Sequence, residues 1–235
     1  MAKVRDLVDI IEETVELMTF PMTILEVVGS NKKNIRFCDV LHSQEGFIIT
    51  INGNPYKING VGGTIWITIN TDDVISVGDI AYLYKPKFTY GTPIEVANES
   101  IKIPAMVDGF PLVWLRLNFT EKINSWNNST AREADIELYF LTLCKHDLLP
   151  YADLSIQGVQ PMRSLAESFI DFIQSPTQMG NYNVNDINYE IERYEKLGIY
   201  IREKGQSKTL IGKNLTGVCL SINLKFWRGS KCLEC

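Results

Sequence analysis

Between residues 23 and 103 the chain is cut into short runs rich in Ile, Val, Thr and Tyr: TILEVV, IRFCDVL, GFIITINGN, YKINGV, TIWITI and IAYLY. Asn52-Gly53, Asn59-Gly60, Gly62-Gly63 and Gly78-Asp79 punctuate them at roughly ten-residue intervals. β-branched and aromatic side chains pack well on a pleated surface, and the dipeptides supply the turn chemistry that joins adjacent strands. This pattern predicts a small antiparallel β-barrel or sandwich-like segment over 23–103. It specifies an architecture and no reaction.

The flanks read differently. Val4, Leu7, Val8, Ile11, Val15 and Met18 recur every three or four residues, with Arg5, Asp9, Glu12, Glu13 and Glu16 between them. That is one apolar stripe on a helix, which Pro21 ends because proline disfavours helical geometry in the residue before it. Residues 1–22 are therefore an N-terminal helix. Pro86–Asp108 carries Pro86, Pro93 and Pro104 with little periodicity, and reads as an extended connection.

Residues 104–228 predict an antiparallel sheet with one long packed helix. GFPLVWLRLNFTEK begins as a buried strand over Leu112–Leu117 and turns polar from Arg116. INSWNNSTARE is a polar excursion, a hairpin tip or mobile loop. ADIELYFLTL alternates Ile136, Leu138 and Phe140 against Glu137, Tyr139 and Leu141, a strand with one dry face. Pro161–Gln174 is a helix with Met162, Leu165, Ala166, Phe169, Phe172 and Ile173 on its buried stripe, and Pro161 sits where a missing N–H is harmless. Asp186–Lys196 predicts a shorter polar helix stopped near Gly198. GVCLSINLKFW alternates strictly, as a central strand should. Residues 229–235 are a tail, and the whole is α+β.

Composition narrows the function. The chain has 235 residues, 45% hydrophobic and 22% charged, with a net charge of −5. A general nucleic-acid binder needs a clustered surplus of Lys and Arg, which this balance disfavours. No run approaches the roughly 18 apolar residues of a membrane span. The cysteines, at 38, 144, 219, 232 and 235, form no disulfide framework, and the start lacks a signal-peptide core, so synthesis in a reducing cytoplasm is expected.

Catalytic vocabulary is sparse. His42 and His146 have no second ligand at metal spacing, and Cys232-x-x-Cys235 is one pair where zinc wants four ligands. The glycines of NGVGGT lie between strands, not before a helix, so they read as a hairpin and not a phosphate cradle. Asp72 and Asp73 are neighbours in a turn and point apart. No Ser–His–acid set can be assembled. The expectation is no catalytic residue, no metal and no cofactor, with a hydrolase built on an unrecognised carboxylate pair as a minor reading.

Two features suggest contacts. IREKGQSKTLIGKN places Arg202, Lys204, Lys208 and Lys213 between apparent strands, either a solvated hairpin or a loop touching an acidic neighbour or DNA backbone. Trp126 lies in the polar excursion, and Tyr151, Tyr182 and Tyr189 lie near other loops; amphipathic rings on loops are enriched at protein–protein contacts. A competing reading makes the β segment an OB-like module for single-stranded nucleic acid, with Trp66, Tyr56, Tyr82 and Tyr84 stacking beside Lys57, Lys85 and Lys87.

The order of parts carries a resemblance. An N-terminal helix, the turn-rich DVLHSQEGFIITINGNPYKINGV, the link YGTPIEVANESIKI, then PLVWL, ADIELYFLTL, PMRSLAESFIDFI and a closing alternating strand resemble the neck and tail ring proteins of tailed bacteriophages, in particular those of crAss-like phages. The second half is similar in layout to phage tail-terminator proteins. The resemblance implies a non-enzymatic virion protein of the head–tail connector or tail, made in the host cytoplasm. It implies a homo-oligomeric ring that joins portal or neck to tail and contacts portal, ring or tail proteins. DNA would pass through the channel without specific binding, and no membrane is involved. In that role Arg116, Glu121, Lys122, Trp126 and Arg132 would reach a neighbouring subunit, with Arg202, Lys204, Lys208 and Lys213 as a second contact set.

Overall fold

A computed structural model describes residues 7–40, 43–83, 85–92, 111–117, 119–126, 129–144, 151–174, 182–184, 187–197, 199–203, 206–209 and 215–228. Helix α1 (Leu7–Leu17) follows its sequence stripe: Leu7, Ile10, Ile11 and Val15 are buried, and Met18 just beyond it is buried too.

The β segment folds as seven antiparallel strands: β1 (Pro21–Thr23), β2 (Glu26–Val28), β3 (Lys32–Arg36), β4 (Ile48–Ile51), β5 (Asn54–Gly62), β6 (Trp66–Asn70) and β7 (Ile80–Leu83). Their order is β1-β7-β4-β5-β6-β3-β2, so the two end strands are consecutive in the chain. The Ile24 N–H donates to Asp79 C=O at 2.9 Å and the Leu25 N–H donates to Arg36 C=O at 2.8 Å. One bent segment therefore pairs at both ends of the sheet and curls it into a barrel. Strict alternation on β4, β6 and β7 sends Ile49, Ile51, Ile67, Ile69, Ala81 and Leu83 inward, where Ile24, Ile35, Phe37 and Ile58 complete the core. Asn52 and Gly53 both hold positive φ, 52° and 83°, the two-residue turn that matches the twist of a hairpin.

A second sheet follows: β8 (Lys87–Gly91), β9 (Leu112–Arg116), β10 (Glu121–Trp126), β11 (Ser129–Leu143), β12 (Tyr182–Val184) and β13 (Asn188–Leu197). A separate ribbon of β14 (Ile199–Glu203) and β15 (Gln206–Thr209) precedes the last strand, β16 (Leu215–Arg228). The spine is the antiparallel ladder of β11 and β16, running from Thr130–Arg228 to Leu143–Leu215. β9 and β10 flank β11, while β12 and β13 flank β16. β16 is thus central, as its alternation requires. The sheet is antiparallel throughout except for one outer pair, β8 with β9, which is parallel.

One face of this sheet is covered by a helical stretch: α2 (Tyr151–Leu154), a π-helical turn (Ser155–Val159) and α3 (Gln160–Gln174). Met162, Leu165, Ala166, Phe169, Ile170 and Ile173 are buried, and Phe169 meets Phe140 edge-on at 5.8 Å. Beneath them lie Ile136, Leu138, Phe140, Val218, Leu220 and Ile222, which share one face because cross-strand partners point the same way. Helix α1 packs on β8 and α3, with Phe20 against Phe172 at 6.3 Å. The barrel is accordingly inserted between α1 and β8. Its two ends are neighbours, since Pro21 pairs with Tyr82.

Four sequence readings give way here, in whole or in part. Pro86–Asp108 contains a strand, β8, between Pro86 and Pro93. A parallel pair needs a long crossover, and residues 92–111 provide it. INSWNNSTARE is mostly strand, the β10–β11 hairpin, whose polar rungs lie beyond the apolar centre and so leave no hydrophobic period. Asp186–Lys196 is not a helix: Asn188–Leu197 forms β13 on the edge of β16. Its Glu, Arg and Lys residues favour helix only weakly, and the need of β16's backbone for hydrogen-bond partners prevails. On β11 both faces, not one, are dry at one end, where Tyr139 and Leu141 are buried along with Ile136, Leu138 and Phe140.

Candidate functional site

The sheet face opposite the helices is polar at one end and aromatic at the other. Alternation brings Glu133, Asp135, Glu137 and Tyr139 of β11 alongside Lys225, Asn223, Ser221 and Cys219 of β16, with Glu190 and Glu192 of β13 beyond. An open groove of about 590 Å³ lies there, lined by Arg116, Phe119, Asp135, Glu137, Glu190 and Asn223 among others.

Its groups are largely committed to one another. Arg116 Nη1 donates to Glu137 Oε2 at 2.7 Å, and that carboxylate holds the guanidinium's pKa above its usual value. Asn223 Nδ2 donates to Asp135 at 2.7 Å and to Glu133 at 3.2 Å. Tyr139 OH donates to Glu137 at 3.1 Å and stacks on Trp114 at 4.6 Å, while Trp114 Nε1 donates to Gly91 C=O at 3.0 Å. Desolvation raises the Tyr139 hydroxyl far above the ordinary phenol range and pushes the neighbouring Cys219 thiol up to about 11. Cys144 is shifted upward by burial as well. A thiol held protonated at neutral pH is a poor nucleophile. Among the described residues no group of three or more His, Cys, Asp or Glu is placed to hold a metal ion.

The other candidate features resolve as follows. Asp73 accepts from Tyr56 OH at 2.6 Å, and its own N–H donates to Thr71 Oγ1 at 3.0 Å, so it closes a turn. Gly60 and Gly62 lie in β5, and Gly63, at φ 63°, starts the turn to β6. Trp66 on β6 and Tyr82 on β7 are separated by β5 and β4, so they form no continuous stacking surface, and Tyr84 lies outside the described residues. So do His42, His146, Cys232 and Cys235. Among the described residues no helix is long and apolar enough to cross a membrane.

The contact residues anticipated from the sequence fall into separate groups. Arg116 belongs to the groove. Glu121 and Arg132 pair with each other at 3.2 Å across the β10–β11 hairpin, and Lys122 stands opposite Glu133 in the same ladder. Trp126 sits at the hairpin's end, opposite Ser129. Arg202 and Lys208 lie on the β14–β15 ribbon, with Arg202 opposite Ser207 and Lys208 opposite Tyr200. Lys204 and Lys213 lie outside the described residues.

Sequence reasoning missed an apolar patch on the barrel. Val74 is 87% exposed and Val77 66%, in the loop that enters β7. Ile80 and Tyr82 follow on the outer face of β7, both about half exposed, and Leu25 lies on the bent segment hydrogen-bonded to Gly78 and Asp79. The loop beneath is tightly held. Asp79 accepts from the Ser76 N–H and from Asn52 Nδ2, each at 2.9 Å, and these bonds lower its pKa. Lys33 Nζ donates to Thr71 C=O at 3.1 Å and the Thr71 N–H to Asn31 C=O at 2.8 Å. The signal available in the sequence was TDDVISVGDIAYL, where Val74, Val77, Ile80 and Tyr82 interrupt a polar turn and alternate against Ala81 and Leu83. Compared with known protein-family models and with curated proteins, the sequence matches none.

Proposed function

We propose that this protein is a structural subunit of a tailed-phage particle, an oligomeric ring component of the head–tail connector or tail that joins portal or neck to tail. The observation that carries the reading is the exposure of Val74, Val77, Ile80 and Tyr82 along one stretch of the barrel, beside Leu25 on the segment bonded to it, over a loop fixed by hydrogen bonds. Exposed apolar clusters of this kind mark protein–protein contacts, and a rigid base lowers the entropy cost of making them. Ring closure requires each copy to offer two different surfaces. The barrel and the groove-bearing sheet are two such surfaces, on two separate sheets of one chain. The net charge of −5 suits a channel through which DNA slides without sticking.

The test is mass photometry of the full chain, alone and with candidate portal and tail neighbours, for the wild type and for Val77→Asp and Ile80→Asp. Assembly by the wild type and its loss in both variants, with circular dichroism unchanged, is the expected result. A wild type that stays monomeric with every neighbour, or variants that assemble like it, would overturn the reading.

A further inference from the structure

Where the barrel meets the second sheet, one side chain, Gln44, hydrogen-bonds to three consecutive residues, Thr142, Leu143 and Cys144. Gln44, 7% exposed, follows the β3 side of the barrel and reaches the end of β11. Its Nε2 donates to Leu143 C=O at 3.0 Å and to Cys144 Sγ at 3.5 Å, and its Oε1 accepts from Thr142 Oγ1 at 2.5 Å. Thr142 is 1% exposed, and the adjacent Ser43 Oγ is buried without a partner. The far side of this junction is tightly packed. Gly158, in the π-helical turn, lies so close that a Cβ there would come within 2.5 Å of Thr216 Cγ2 and 2.9 Å of Cys144 Sγ. The barrel's covalent attachments sit elsewhere, at the paired Pro21 and Tyr82.

We propose that Gln44 is a latch that fixes the orientation of the inserted barrel on the helix-backed sheet. A module whose two ends leave side by side is held by a narrow stalk and by an apolar core continuous with that of the second sheet, and neither of these is directional. A third attachment, remote in sequence by about a hundred residues from its partners, supplies the direction. The bonds to Thr142 and Cys144 are buried and the one to Leu143 is partly so, so water replaces them poorly while the junction is closed, and opening is needed to satisfy the groups once Gln44 is gone. The apolar patch on the barrel thereby keeps one position relative to the sheet. This goes beyond the ring reading and does not depend on it, because the latch acts within one chain.

The test is hydrogen–deuterium exchange of the full chain carrying Gln44→Met, which keeps the side chain's length and removes its hydrogen bonds, and Thr142→Val, which removes only the donor to Oε1. Peptides covering 43–47, 142–144 and 155–160 should exchange about tenfold faster in Gln44→Met, the effect of losing buried hydrogen bonds worth one decade of opening. Thr142→Val should show the same pattern to a smaller degree. The barrel strands β6 and β7 and the rungs of β11 and β16 around Leu138–Leu220 should be unchanged in both. Exchange unaltered at the junction would overturn the proposal. So would acceleration spread evenly through barrel and ladder, since Gln44 would then be an ordinary core residue. If Gln44→Met fails to fold, Thr142→Val alone decides between the same outcomes.

Discussion

Cys219 stands beside Tyr139 on the buried end of the second sheet, and desolvation lifts its thiol to about 11. The folded value lies above the ordinary thiol value of 9.0, so the associated stability is complete below that pH and is lost as pH rises toward 11. Wild-type protein should lose about 2 kcal/mol over that window that Cys219→Ala does not lose, read by denaturant melts at pH 8 and pH 11. At pH 8 a thiol reagent should modify exposed Cys38 before Cys144 and Cys219, which it should reach only on unfolding. Gly217 is a second residue whose role is steric. A Cβ there would overlap the Phe140 carbonyl oxygen across the β11–β16 ladder. Gly217→Ala should therefore cost about 3 kcal/mol in a urea melt, at the upper end of ordinary overpacking, because the obstacle is backbone that cannot rotate away.

The hairpin of β10 and β11 shows how an element's meaning changes once its partners are known. Read as a loop, Ile123–Glu133 would be dispensable for folding. As strands, Ile123–Trp126 of β10 pair with Ser129–Arg132 of β11, and Thr130 to Glu133 also pair with Arg228 to Lys225 of β16. Deleting it should lower the unfolding midpoint and expose the end of β16, whereas Asn128→Gly, between the two strands, should leave the melt unchanged. Calorimetry of the two variants distinguishes them. β13 makes the same point. NYEIERYEKL has residues that suit a helix, yet Tyr189, Ile191 and Arg193 align with Ile222, Leu220 and Val218 once β16 presents an edge. Neither partner is adjacent in sequence, so no local signal marks the choice. By contrast α1, α3, β4, β6 and β16 carry their period in their own residues, because each buries one complete face.

At the scale of the whole molecule, the chemistry of the proposed subunit contacts sets the salt response they should show. Arg116, Glu121 and Arg132 are already paired within the chain, so they gain little from pairing again. The barrel patch is apolar. Association through it should change less than twofold between about 0.05 and 0.5 M salt, where exposed charge pairs are increasingly screened. A steep loss of assembly with salt in mass photometry would shift the contact to the charged groups. The sequence by itself determined that there is a curled antiparallel segment, a long helix on a sheet and a central alternating strand, since hydrophobic period depends only on which face of each element is buried. Only the tertiary structure decided that α1 belongs with the second sheet, that the barrel is an insertion with adjoining ends, that β8 joins in parallel, and that Val74, Val77, Ile80 and Tyr82 are left outside. Those facts depend on which distant segments meet, and a side chain's burial is a property of the surface laid against it.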